Sequence, residues 1–251
     1  MESIQEILNL VDSYDRELPA PPTPLAKPVG AEIAGWIDHT LLKPEATGGQ
    51  VKKLCEEARQ YHFAAVCVNP VYVSLARALL KNTDIRVSAV IAFPLGALLP
   101  EDKVHETSLV IKNGASEVDM VINIGAIKGE SFGLVLNEIQ MVTQEAHKRN
   151  AGVKVIIEAA LLTNREKILA CLLSRSAGAD FVKTSTGFGP SGATVEDVEL
   201  MRRVVGSDIG VKAAGGIRTY QDAIAMITAG ANRIGTSAGV SILIESLKAT
   251  Q

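Results

Sequence analysis

From about residue 36 onward, short apolar runs rich in β-branched residues alternate with amphipathic stretches. That alternation constrains the fold more than any other feature of the chain. The strand candidates are Trp36–Leu41, Ala64–Val68, Val87–Ile91, Glu117–Ile122, Val153–Ile157, Ala179–Lys183, Gly210–Ala213 and Asn232–Thr236. Several are apolar throughout, as expected of strands covered on both faces. Helical spacing marks the segments between them, among them GGQVKKLCEEARQYH, VYVSLARALLKN, EDKVHETSLVIKNG and TVEDVELMRRVVG. Gly114, Gly178, Gly206 and Gly230 read as helix stops, and Thr194 as a cap followed by the acidic Glu196 and Asp197. Eight strand–helix units in about 215 residues match a (β/α)8 TIM barrel, an α/β fold. A doubly wound open sheet is the alternative, but its GxGxxG turn after the first strand is missing.

The first 30 residues do not follow this pattern. Ile4, Ile7, Leu8 and Val11 have helical spacing, and PAPPTPLAKP at residues 19–28 holds half of the chain's ten prolines. Residues 1–30 therefore read as an added N-terminal helix and Pro-rich linker, and residues 31–251 as the barrel. The helix is either a disordered tail or an arm packed on this or a neighbouring subunit. A formal charge of −3 argues against nucleic acid or an anionic membrane as partner. No apolar run reaches the length of a membrane span, and the acidic N-terminus lacks a signal peptide's basic region. Cys55, Cys67 and Cys171 are scattered and odd in number, which fits a reducing, cytoplasmic setting without a disulfide framework.

Two lysines end buried-looking strands: Lys183 in ADFVKTSTG and Lys212 in GVKAAGGIR. Burying an ammonium is costly, so a lysine there tends to lose its proton, and a neutral amine attacks carbonyls. An ordinary lysine has a pKa of about 10.4, which leaves roughly one molecule in 2,500 neutral at pH 7. Neighbouring strands lie about 4.8 Å apart, so the two ammoniums would repel, and one could react while the other stays charged. Asp38, Asp119 and Glu158 also interrupt or follow apolar strand segments, at the end where barrels carry their active sites. A carboxylate suits the proton transfers of a carbinolamine, and Asp119 in EVDMVIN is placed for them. Asp38 could hold a lysine or Asp119 in position.

A second set of residues points to phosphate. Gly215–Gly216 follows the seventh strand and Gly235–Thr236–Ser237 closes the eighth, where barrels often bind phosphate through glycine-rich loops. His39, His62, His105 and His147 lack metal spacing, with His105 and His147 on helices, so no metal site is expected. Cys67 reads as core rather than nucleophile.

These segments, with DHTLLKP from Asp38, AVCVNP from Ala65, VKTSTGF from Val182 and VKAAGGIR from Val211, closely resemble the deoxyribose-phosphate aldolase family. The resemblance spans about residues 31–247. It implies a class I, Schiff-base aldolase without a cofactor. Such an enzyme reversibly cleaves 2-deoxy-D-ribose 5-phosphate to acetaldehyde and D-glyceraldehyde 3-phosphate in deoxyribonucleoside catabolism. Lys183 matches the Schiff-base lysine, Lys212 the charged lysine that perturbs it and assists proton transfer, and Asp119 the proton donor and acceptor. Asp38 matches a supporting carboxylate. Thr40, Cys67 and Thr186 match positions near the substrate, and Gly187, Gly215, Gly216, Gly235 and Ser237 match the phosphate loops. A homodimer or homotetramer is the expected assembly. Some members carry a lysine where this sequence has Phe188, a second serine where it has Ala238, and a C-terminal tyrosine tail where it ends at Gln251. The competing readings are another Schiff-base aldolase or transaldolase-like barrel, and a non-catalytic sugar-phosphate-binding protein.

Overall fold

Eight strands hydrogen-bond in chain order, all in parallel, and the first closes on the last to make a barrel. The computed structural model describes residues 2–24 and 26–249. Met1, Leu25, Thr250 and Gln251, which fall in the expected N-terminal segment and the barrel's end, lie outside the described residues. The strands are β1 (Ile37–Leu41), β2 (Ala65–Val68), β3 (Arg86–Ile91), β4 (Glu117–Val121), β5 (Gly152–Ile156), β6 (Phe181–Lys183), β7 (Gly210–Ala214) and β8 (Arg233–Thr236). Closure excludes the doubly wound sheet. Each expected strand is present, with ends displaced by at most two residues.

The helices are α1 (Ile4–Arg16), α2 (Gly48–Tyr61), α3 (Val73–Leu79), α4 (Pro100–Lys112), α5 (Ile124–Lys128), α6 (Phe132–His147), α7 (Asn164–Ser176), α8 (Val195–Val205), α9 (Tyr220–Thr228) and α10 (Gly239–Lys248). Their starts are specified locally. Thr47, Thr163, Thr194 and Thr219 each accept a hydrogen bond from a backbone N–H in the first turn of α2, α7, α8 and α9. After α4 and α9, Gly114 and Gly230 take φ values of 109° and 114°, which side chains disfavour. A Cβ at either glycine would also lie 2.5 Å from an arginine stem, Arg77 or Arg202.

The main hydrophobic core lies between the outer face of the strands and the ring of helices. Helix α1 joins that core and packs on α7 of its own chain, with Ile7 and Val11 buried. Arg165 of α7 pairs with Asp12 and Asp15, and Arg203 of α8 donates to the carbonyls of Leu18 and Pro19. The segment that follows α1 is thereby held against the barrel by its backbone. No helix among the described residues is long and apolar enough to cross a membrane.

Candidate active site

Charged side chains occupy the space inside the strands, where a barrel of this kind usually packs branched aliphatics. Side chains alternate across a strand, so residues two apart share the inner face. Asp38 on β1, Glu117 and Asp119 on β4, Lys154 on β5, Lys183 on β6, Lys212 on β7 and Arg233 on β8 all project inward and are buried. Lys183 and Lys212 are direct register partners on neighbouring strands.

Asp119 is the hub. Its Oδ2 accepts from Lys183 Nζ and from Lys212 Nζ, each at 2.8 Å. Its Oδ1 accepts from Lys154 Nζ at 2.9 Å and from Ser88 Oγ at 2.8 Å. Asp38 binds Lys212 through Oδ2 at 2.6 Å and Arg233 through Oδ1 at 2.7 Å. Lys212 thus has two carboxylates, whereas Lys183 has one.

Electrostatics follow from this wiring. Burial alone would raise the carboxyl of Asp119, but Lys154, Lys183 and Lys212 together hold it well below the usual range. Asp38 is treated likewise: burial opposes ionisation, and Lys212, Arg233 and Lys154 override it. Burial works against the Lys212 ammonium, yet Asp119 and Asp38 push its pKa above the ordinary lysine value. Lys212 can stay charged at this depth because two carboxylates replace the lost water.

A cavity of about 350 Å³ opens above this cluster at the carboxyl ends of the strands. Thr40, Lys183, Thr186, Gly187, Gly215, Gly216, Gly235 and Ser237 all line it. So do Lys43, Arg218 and Phe188, with Lys43 and Arg218 exposed to water. Gly187, Gly215 and Gly216 have φ values of 85°, 89° and 80°, so their loops are open to glycine and strained for other residues. At Gly235 the reason is different. A Cβ there would sit 3.0 Å from Lys212 Cε, so the missing side chain leaves room for the lysine stem. A larger cavity, about 620 Å³, lies between α8 and α9 beneath Pro21–Pro24, and neither Lys183 nor Lys212 lines it.

Two further residues singled out from sequence lie outside the amine cluster. Glu158 does not join the amine cluster. It caps the β6 loop instead, its Oε2 accepting from the Thr186 N–H at 3.2 Å and from the Thr186 hydroxyl. Cys67 is fully buried beside Leu42 and Val90, with Sγ 3.9 Å from Asp119 Oδ2, and burial pushes its thiol up. Phe188 stacks edge-on against Phe93, with ring centroids 5.4 Å apart, at the cavity mouth. No group of three or more potential metal ligands occurs among the described residues.

Lys154, Glu117 and Arg233 were not singled out from sequence, although the signal was there. Lys154 interrupts the apolar run GVKVII as Lys183 and Lys212 interrupt theirs, and Glu117 precedes Asp119 by one strand period.

The model of the DeoC/LacD family aldolases matches residues 33–248. The chain belongs to the DeoC/LacD family of aldolases. Within that family it is 60% identical over 217 residues to a deoxyribose-phosphate aldolase of Thermococcus gammatolerans, covering 86% of this chain and 96% of the relative. It is 62% identical over 211 residues to one from a Geobacillus species, covering 84% and 94%. The fold agrees with the tetrameric deoxyribose phosphate aldolase of Aeropyrum pernix at a TM-score of 0.82 and 35% identity, across 100% of both chains. A crystal structure from Coccidioides immitis superposes with a TM-score of 0.90 at 43% identity, across 98% of both chains. The barrel of this aldolase and the helix that precedes it are thus matched as a fold along the whole of the Aeropyrum pernix chain.

Proposed function

We propose that this chain is a class I aldolase that reversibly cleaves 2-deoxy-D-ribose 5-phosphate to acetaldehyde and D-glyceraldehyde 3-phosphate through an imine on Lys183. The observation that carries this reading is the unequal pairing of the two lysines. Lys183 borders the cavity and contacts a single carboxylate, whereas Lys212 is held by two and keeps its charge. Lys183 is thus the amine most easily freed for attack.

The steps use groups already in contact. The neutral Nζ of Lys183 adds to C1 of the open-chain sugar, forming the C–N bond while the carbonyl oxygen takes a proton. Loss of that hydroxyl as water leaves an iminium cation beside Asp119 Oδ2, in place of the ammonium it balanced. A base then removes the C3 hydroxyl proton, the C2–C3 bond breaks, and its electron pair flows into the iminium to give an enamine. Glyceraldehyde 3-phosphate leaves. A proton is returned to C2, and water releases acetaldehyde. Asp119 and Lys212, joined at 2.8 Å, supply and receive these protons. Thr40 and Thr186 face the sugar hydroxyls, and the loops of Gly187, Gly215–Gly216 and Gly235–Ser237 hold the phosphate. Cys67 lies below the substrate as a buried wall. Family membership supports a homo-oligomer, since the Aeropyrum pernix relative is a tetramer.

Turnover of deoxyribose 5-phosphate by the wild type and Lys183→Leu tests the reading. Activity should fall to background in the variant. Full activity in Lys183→Leu would refute the imine. Cleavage of a dihydroxyacetone-derived ketose in preference to deoxyribose phosphate would favour a different Schiff-base aldolase.

A further inference from the structure

Inside the barrel, four cations face three carboxylates. Lys154, Lys183, Lys212 and Arg233 stand against Asp38, Glu117 and Asp119. Other polar groups also face the cluster: Cys67 on β2, Ser88 on β3, and Arg86 at the start of β3, whose half-exposed side chain reaches Glu117 at 3.2 Å. Arg86 is open to water and therefore screened. The buried set carries one positive charge in excess if every group is ionised, and an uncompensated buried charge is costly. The cation of this set with the fewest anionic partners is Lys183, which has Asp119 alone.

We infer that Lys154 and Glu117, which do not reach the cavity, are positioning residues that set the charge state of Lys183 through Asp119. This rests on Lys183 being the reacting amine. Lys154 contacts Glu117 at 2.5 Å, Asp119 Oδ1 at 2.9 Å and Ser88 at 3.2 Å. It thereby occupies half of the carboxylate that would otherwise be free to stabilise the Lys183 ammonium. Glu117 acts in the opposite sense. It neutralises Lys154 and, at 3.3 Å, Arg233, and so limits the positive excess. Lys154, Glu117 and Arg233 are each 5% exposed or less, so their interactions with the upper cluster are weakly screened.

The two groups carry opposite charge, so their removal has opposite, readable effects. Neutralising Lys154 leaves three cations on three carboxylates, and the Lys183 ammonium becomes one member of a balanced set. Neutralising Glu117 leaves four cations on two carboxylates and drives a proton off. The acid limb of kcat/KM for deoxyribose 5-phosphate should therefore move up by about one pH unit in Lys154→Met and down by about one unit in Glu117→Gln. Lys154→Arg, which keeps the charge, should leave the limb where the wild type has it. A purely structural role would lower activity in both variants without moving their limbs in opposite directions. Should Lys154→Met fail to fold, Glu117→Gln and Lys154→Arg carry the test alone. Limbs that stay fixed or move together would overturn the inference. Borohydride trapping of acetaldehyde on the wild type separates the two levels. No adduct on Lys183 refutes the imine itself, whereas an adduct with unmoved limbs refutes only the role of Lys154 and Glu117.

Discussion

Lys212 keeps its proton because Asp38 and Asp119 lie 2.6 and 2.8 Å from its Nζ, and that fixed charge is its contribution to the chemistry next door. Replacing it with leucine removes a cation and a proton relay together. Lys212→Leu should lose roughly 10²–10⁴-fold in kcat, the usual size of a general acid–base contribution. Part of that loss should return as pH rises and Lys183 discharges without help. A pH–rate profile parallel to the wild type would contradict this role. The sequence exposed Lys183, Lys212, Asp38 and Asp119, because each is a charge set in an apolar strand. It could not show how Asp119 divides its two oxygens among three lysines, since that depends on the register of β4 through β7. Nor could it show what Glu158 binds. Its backbone turns into the left-handed region, at φ 49°, and carries the carboxylate to Thr186 rather than to the amines.

Helices α4 and α6 reach the site through a buried ion pair. Lys103 Nζ donates to Glu138 at 2.8 Å and to the Val121 carbonyl at 2.9 Å, and Glu138 accepts the Asn123 N–H at 2.7 Å. Both side chains are fully buried, and they clamp the end of β4 two residues beyond Asp119. Burial pulls the Lys103 ammonium down and pushes the Glu138 carboxyl up, so each depends on the other to stay charged. Lys103→Met should cost about 3–5 kcal/mol in denaturant unfolding, the price of a stranded buried charge. The double change Lys103→Met with Glu138→Leu should recover part of that loss, because no charge remains to be stranded. A double variant no more stable than the single one would count against the clamp. At this scale the sequence was most legible where physics is local, as at the Thr194 cap and the glycine stops. Strand ends were less so. Ala179 and Asp180 extend the run before β6, but the Ala179 N–H bonds the Ser174 carbonyl at the end of α7, and the strand itself runs from Phe181 although Asp180 already bonds Val153 and Gly210.

The whole molecule stakes much of its stability on a charged interior, and pH should reveal it. The folded carboxyls of Asp38 and Asp119 lie below their unfolded value of about 3.9, so their contribution is present above that pH and is lost as pH falls through the folded values. Lys154 and Lys212 are raised above the unfolded value of about 10.4, so their contribution is complete below that pH and is lost only as pH rises through the folded values. Melting temperature should thus fall as pH drops below about 4. Asp119→Asn should show a shallower acid fall, and an unchanged slope would remove Asp119 from the account. The barrel itself was readable from eight alternating units. Its polar filling was legible only in part: Lys154 interrupts an apolar run as Lys183 and Lys212 do, whereas Arg233 looks like an ordinary surface charge until closure turns it inward. The central claim, an imine on Lys183, has one most direct measurement: peptide mass spectrometry after borohydride reduction in the presence of acetaldehyde. The account predicts a single ethyl group on Lys183 and none on Lys212 or Lys154. An adduct on another lysine, or no adduct at all, would contradict it.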